Sequence, residues 1–207
     1  MSKVVYLFRH GETDWNKNAD TLKYCEEVHN VYLNENGRQQ AEELVEVLKD
    51  KGIEHIYTSK LKRANETGKI LANAININFE IVDGLEAFSI YDSSVIGLTR
   101  REIIDTKIGK DKWTKFRKEK DSFLDWRIFP SCETKREARE RIFNTIIKIC
   151  QNTSYNIVGI TSHGNVMLEL LRKLDFIDQE KLTNCEVIKL KYDKDLSIVD
   201  RFKTFEV

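Results

Sequence analysis

The 207-residue chain has one proline, nine glycines, four scattered cysteines and no excess charge of either sign. So little proline and glycine leaves no room for a long flexible linker. Cys25, Cys132, Cys150 and Cys185 form no Cys-x-x-Cys pair, and no histidine stands at zinc-ligand spacing. Neither a disulfide framework nor a zinc site is expected, and the thiols read as reduced filler. Basic and acidic side chains balance at 34 each. That argues against a dedicated nucleic-acid binder, which shows a basic excess. No run approaches the ~18 apolar residues of a membrane span. The N-terminus enters the strand-like Val4–Phe8 at once, without the pattern of a signal peptide. The expectation is a cytoplasmic protein with no membrane or nucleic-acid partner. A chain of this length buries roughly 70% of its unfolded surface, enough to hold a core without staples.

What is present alternates. Val4–Phe8 is a short apolar run ending near a glycine, which suits a buried strand. Asn34 can cap a helix to about Asp50, with Ala41, Leu44, Val45 and Leu48 on one face. His55–Thr58 reads as a second strand, Lys60 to about Asn73 as a second helix, and Phe79–Val82 as a third strand. Residues 84–133 are irregular and rich in charge and aromatics, as expected of an insert with short helices. Thr134 and Glu137 have capping-box spacing, opening a helix with Ala138, Ile142, Ile146 and Ile149 on its apolar face. Ile157–Thr161, a helix from Asn165 to about Lys173, and strands at Val187–Tyr192 and Ile198–Phe205 complete the chain. The order predicts one α/β domain over residues 1–207, a sandwich on a largely parallel sheet with an insert at about 84–133.

Ligands of such sheets bind beyond the carboxyl ends of the strands. All four loops expected there carry reactive groups. They read Arg9-His10-Gly11-Glu12-Thr13 with Asn16 close by, Thr58-Ser59-Lys60-Leu61-Lys62-Arg63, Gly84-Leu85-Glu86, and Ser162-His163-Gly164-Asn165. A histidine at a strand end is usually a packing residue. Two histidines with two arginines at one sheet edge point instead to phosphoryl transfer. A neutral His10 nitrogen would attack phosphorus while a backbone carbonyl holds the other nitrogen. Arg9 and Arg63 would neutralise phosphoryl oxygens and favour neutral His10. His163, preceding a helix, would donate to another oxygen. One carboxylic acid could protonate the leaving alkoxide and later activate water.

These motifs resemble the histidine phosphatase superfamily in its phosphoglycerate-mutase-like branch. Arg9-His10-Gly11 matches the signature, Thr58-Ser59 with Leu61, Arg63, Ala64 and Thr67 the second-arginine motif, and Ser162-His163-Gly164 the second-histidine motif. Leu33–Ala41 with Gly37, and Cys132-Glu133-Thr134 with Arg141, resemble two further segments. The resemblance implies a three-layer α/β/α sandwich with a mostly parallel mixed sheet. It implies His10 as the phosphorylated nucleophile, with Arg9, Arg63 and His163 as the phosphate pocket. Gly11, Thr13, Asn16 and Gly164 would contact phosphate or substrate, and no cofactor or metal would be needed. The expected partner is a small phosphorylated substrate; a homodimer stays open.

The sequence departs from the family pattern around the acid. Ile96 stands where a glutamate usually precedes the Gly-Leu-Thr stretch, here Gly97-Leu98-Thr99, and Glu86 lies eleven residues before Gly97. Glu86 is the expected acid/base, with Asp92 as the alternative. Lys60 and Lys62 read as solvated helix charges, and Arg100-Arg101 as a solvated helix face. Phe88, Tyr91, Trp113, Phe116, Phe123 and Trp126, with Arg117 and Arg127, are expected to line the substrate pocket. Three readings compete: a metal-independent phosphomonoesterase, a phosphoglycerate mutase, and a module that only binds phosphate. The segment from Glu86 to His163 is short, and Arg117-Lys118 lacks the paired-arginine fork for a sugar-acid carboxylate, which favours the first.

Overall fold

The computed structural model describes residues 2–18, 20–25, 30–88, 92–118, 123–176 and 181–202. Six strands form one sheet: β1 (Lys3–Arg9), β2 (His55–Thr58), β3 (Phe79–Ile81), β4 (Ile157–Ser162), β5 (Val187–Tyr192) and β6 (Leu196–Phe202). Their order is β3-β2-β4-β1-β5-β6. Pairing is parallel from β3 through β1, then antiparallel at β5 and β6, so the sheet is mixed and mostly parallel as expected.

The layers follow from alternation along the strands. In β1, Val5 and Leu7 enter one core while Tyr6 and Phe8 enter the other. The first core is closed by α6 (Lys135–Asn152) and α7 (Gly164–Lys173), through residues such as Ile142, Ile146, Met167 and Leu170. The second is closed by α2 (Glu35–Leu48) and α3 (Lys62–Ala74), through Leu44, Leu48 and Leu71. Helix starts obey the caps read from sequence: Asn34 accepts from the Gly37 amide at 2.8 Å, and Thr134 with Glu137 forms a full capping box. Each such cap is worth about 1 kcal/mol.

Residues 84–133 do hold short helices: a 3₁₀ turn at Ser93–Val95, α4 (Arg100–Ile103), a π turn at Ile104–Ile108, and α5 (Lys110–Lys118). The remaining short helix, α1, spans Asp14–Asn18. The insert does not stand alone. Tyr24 packs with Val95, Ile103, Phe129 and Cys132, and exchanges backbone bonds with Gly97 and Leu98, both 2.8 Å.

Several boundaries differ from expectation, most by a single residue. Helix α3 starts at Lys62 rather than Lys60, because Ser59 to Leu61 turn the chain out of β2 and Leu61 caps the helix in an extended conformation. Strand β3 ends at Ile81, although the Val82 amide still donates to Thr58. Strand β6 begins at Leu196, two residues earlier than expected, and residues 203–205 of the expected strand lie outside the described residues.

Candidate active site

Register brings the reactive loops together. Arg9 pairs with Ser162 across β1 and β4, and Thr58 with Thr161 across β2 and β4. The next residues along the chain therefore emerge side by side at one sheet edge. The rings of His10 and His163 are 5.1 Å apart, tilted by 57°. Both are buried, as are Arg9 and Arg63.

His10 has its two nitrogens assigned by their partners. Nδ1 lies 2.7 Å from the carbonyl oxygen of Gly11 and so carries the proton. Nε2 accepts from Arg63 Nε at 3.1 Å, which leaves its lone pair on the arginine side. Burial, then the charges of Arg63 and Arg9, hold its pKa well below the usual value, against the opposing Gly11 bond. The imidazole is neutral at physiological pH. Burial also lowers Arg9 and Arg63 to about 10, with Arg9 adding to the effect on Arg63; both remain cationic. Arg9 Nη1 donates to Leu182 O at 2.5 Å, while its buried Nε has no hydrogen-bond partner.

Glycine is required at two places by close approach. A Cβ on Gly11 would lie 2.3 Å from the Gly37 carbonyl oxygen, so the first loop and the start of α2 touch backbone to backbone. A Cβ on Gly164 would meet Arg9 Cδ and Nε at 3.0 and 3.1 Å. Gly164 thus gives Arg9 its room.

These groups open onto a cavity of about 680 Å³. Arg9, His10, Thr13, Asn16, Arg63, His163 and Gly164 line it, as expected. Gly11 does not: its amide donates to Thr67 Oγ1 at 3.1 Å and its carbonyl holds His10, so neither group is offered to a ligand. Glu86 is not in the lining either, where Ala87 and Phe88 begin the wall. Its Oε2 accepts from the Gly84 amide at 2.8 Å, and its Oε1 is 3.4 Å from Lys60 Nζ. Lys60 is exposed, as expected of a solvated charge, but it precedes the helix and pairs with Asp83 and Glu86. Arg141 anchors this loop, donating to the carbonyls of Gly84 and Glu86 at 2.9 and 3.1 Å while gripping Glu133 with two bonds of 2.6 Å. Asp92 caps the 3₁₀ turn and accepts from Ser131 at 3.0 Å; it too is outside the cavity.

Of the aromatics and arginines expected to line the pocket, Phe88, Trp113, Phe116 and Arg117 do so. Phe123 and Trp126 pack on each other edge to face, and Arg127 pairs with Glu137. Tyr91 lies outside the described residues. Arg101 is solvated, but Arg100 reaches the cavity wall and grips Asp20 at 2.8 and 2.9 Å.

Several supporting residues were missed. Ser59 Oγ lies 3.0 Å from His163 Nε2. Asn184 Nδ2 donates to the His10 carbonyl at 3.2 Å, and its Oδ1 accepts from Asn16, whose own Oδ1 holds Thr13. Asn165 fixes Phe88 through both backbone groups, at 2.7 and 3.3 Å. Ser59, Thr67 and Asn165 were visible as motif or loop positions without these roles; nothing local marks Asn184, which is 174 residues from His10.

The whole arrangement corresponds to a recognised family. The sequence pattern of the histidine phosphatase superfamily (branch 1) matches residues 5–204. The chain belongs to that superfamily. It is 30% identical over 177 residues to an uncharacterized phosphatase, PhoE, of Bacillus subtilis (strain 168), covering 86% of this chain and 80% of that one. It is 24% identical to a 2,3-bisphosphoglycerate-dependent phosphoglycerate mutase of Streptococcus thermophilus, covering 98% of each. In fold it resembles a phosphoserine phosphatase of Entamoeba histolytica, with a TM-score of 0.74, 20% identity and 98% of each chain covered. The chain is an enzyme of the histidine-phosphatase type.

Proposed function

We propose that the protein hydrolyses a small phosphorylated metabolite through a phosphohistidine on His10, without a metal ion. The observation that carries this reading is the assignment of the His10 nitrogens, with Nδ1 donating to Gly11 O and Nε2 turned to Arg63. Nε2 attacks phosphorus, forming an N–P bond as the P–O bond to the alcohol breaks. Water then attacks the phosphohistidine, releasing inorganic phosphate and restoring neutral His10. Arg9, Arg63 and His163 surround the phosphoryl oxygens, and the unpartnered Arg9 Nε gains its acceptor there. Fixed cations of this kind stabilise the spread charge of the transition state without reorganising. They supply the positive charge that a metal ion would otherwise bring.

Glu86 is the acid that protonates the leaving alkoxide and the base that activates water. It serves from the loop after β3, where Arg141 sets the backbone. Its carboxyl must turn from Lys60 toward the cavity, past Ala87. Asp92 is committed instead to capping its turn and to Ser131. Four free thiols and the absence of a helix long and apolar enough to cross a membrane, among the described residues, fit a cytoplasmic enzyme.

The test is release of inorganic phosphate from a panel of phosphomonoesters, with chelator present and absent. Turnover that persists with chelator and vanishes in His10→Ala supports the reading. Loss on chelation restored by a divalent ion defeats the metal-free mechanism. Phosphoglycerate mutase action is the second reading, favoured by the full-length similarity to a mutase. Interconversion of monophosphoglycerates faster than phosphate release from the best ester would put it first. A module that only binds phosphate would show neither reaction.

A further inference from the structure

The charges around the cavity are lopsided. Among the described residues, and besides Arg9 and Arg63, its wall carries Lys17, Arg100, Arg117, Lys135, Arg172 and Lys181 against one carboxylate, Glu169. Glu169 is itself 2% exposed and already engaged: Oε2 with Arg139 at 3.1 Å, Oε1 with Arg172 Nη1. The Arg172 side chain is 10% exposed, and its Nε is buried without a hydrogen-bond partner. Glu169 thus acts as an anchor. It fixes Nη1 of the Arg172 guanidinium on α7 and leaves the buried Nε unmatched. A buried cation with unmatched donors is costly unless an anion completes it. On the wall of the same cavity, the rings of Trp113 and Phe116 stack with centroids 5.9 Å apart, forming an apolar stretch. About 680 Å³ suits a whole metabolite, since small-molecule sites span about 300–1,000 Å³.

We propose that the far wall of the cavity binds a second anionic group on the substrate's alcohol, a carboxylate or a second phosphate, through the Arg172 guanidinium held in place by Glu169. Arg117 and Lys181, at the cavity wall and without ion pairs among the described residues, add to its field. This rests on the phosphatase reading of the same cavity and names the substrate class: phosphomonoesters that are anionic at both ends. Glu169 is a positioning residue. Arg172 meets the substrate.

Binding tests this independently of turnover. Calorimetry compares phenyl phosphonate, its para-carboxylated form, its para-phosphonate form and the neutral carboxamide, each against the full-length protein. Wild type should prefer an anionic para group over the carboxamide by at least about tenfold, the scale of a charged hydrogen bond. The better of the two anionic probes identifies the group. Arg172→Gln should erase the preference, Arg172→Lys should restore part of it, and Glu169→Gln should weaken it; circular dichroism checks each fold. Equal affinity for all four probes in wild type overturns the proposal. So does a preference untouched in a folded Arg172→Gln protein. Hydrolysis of the matching phosphate esters is read in parallel. A binding preference without hydrolysis would defeat the phosphatase reading and leave the anion site standing; hydrolysis without preference would do the reverse.

Discussion

Replacing Arg63 with alanine removes a buried cation whose Nε lies 3.1 Å from Nε2 of His10, the nitrogen proposed to attack phosphorus. Two effects should separate cleanly. Taking one charged donor from a preorganised site costs about 3–4 kcal/mol of transition-state stabilisation, roughly 10²–10³ in kcat. The second effect is on His10 itself. Arg63 is the larger of the two charges that depress its pKa, so alanine lets that pKa rise toward the ordinary histidine value. Attack needs the neutral imidazole, hence the acid limb of kcat/KM should move to higher pH in the variant. Stability should fall little or even rise, because burial and the neighbouring Arg9 both disfavour the charged guanidinium. The assay is phosphate release on the best ester across the acid range, beside melting curves for both proteins. A folded variant within about threefold of wild type, against the hundredfold expected, would refute the assignment. An unmoved acid limb would refute the electrostatic account of His10.

Three further outcomes follow from the same geometry. Glu86→Gln should lower turnover on esters of poor leaving groups by about 10²-fold or more, the scale of acid–base assistance, while Asp92→Asn leaves kcat within its error; the reverse order would reassign the acid. Gly11→Ala should lower the urea midpoint by an amount equivalent to about 1–3 kcal/mol, because its Cβ would press on the Gly37 carbonyl; an unchanged midpoint would show that the loops part easily. The unfolded chain protonates His10 near pH ~6.5 while the native state resists, so stability present above that pH is lost as pH falls toward the native pKa. His10→Gln should flatten that acid loss in urea titrations, and an identical slope would contradict a depressed native pKa.

The order of strands and helices was legible because apolar periodicity and caps are local. Asn34, Thr134 and Glu137 announce their helices within a single turn; Arg9, His10 and His163 stand at strand ends, and Arg63 in the first turn of the helix after β2. The site's supports were not legible, since they form between distant residues. Ser59 reaches His163 across 104 positions, and Leu182 and Asn184 fold back onto Arg9 and His10 from the far end of the chain. Glu86 was singled out by its place after β3, but the bond to Gly84 and the pull of Lys60 that turn its carboxyl aside depend on loop geometry. The aromatic insert was read as one pocket lining. Only part of it is, because Phe123 and Trp126 satisfy each other and extend the core beside Phe116.

The central claim is that His10 Nε2 carries the phosphoryl group, and locating that group on the imidazole tests it most directly. Rapid quenching in alkali during turnover preserves phosphohistidine, and phosphorus NMR with peptide mapping distinguishes the two ring nitrogens. The account predicts an acid-labile phosphoryl group on Nε2 of His10, absent from His10→Ala. Phosphorylation of Nδ1 would contradict the tautomer set by Gly11 O. A label on serine, aspartate or cysteine, or turnover with no covalent label in a protein trapped at saturation, would contradict the mechanism itself.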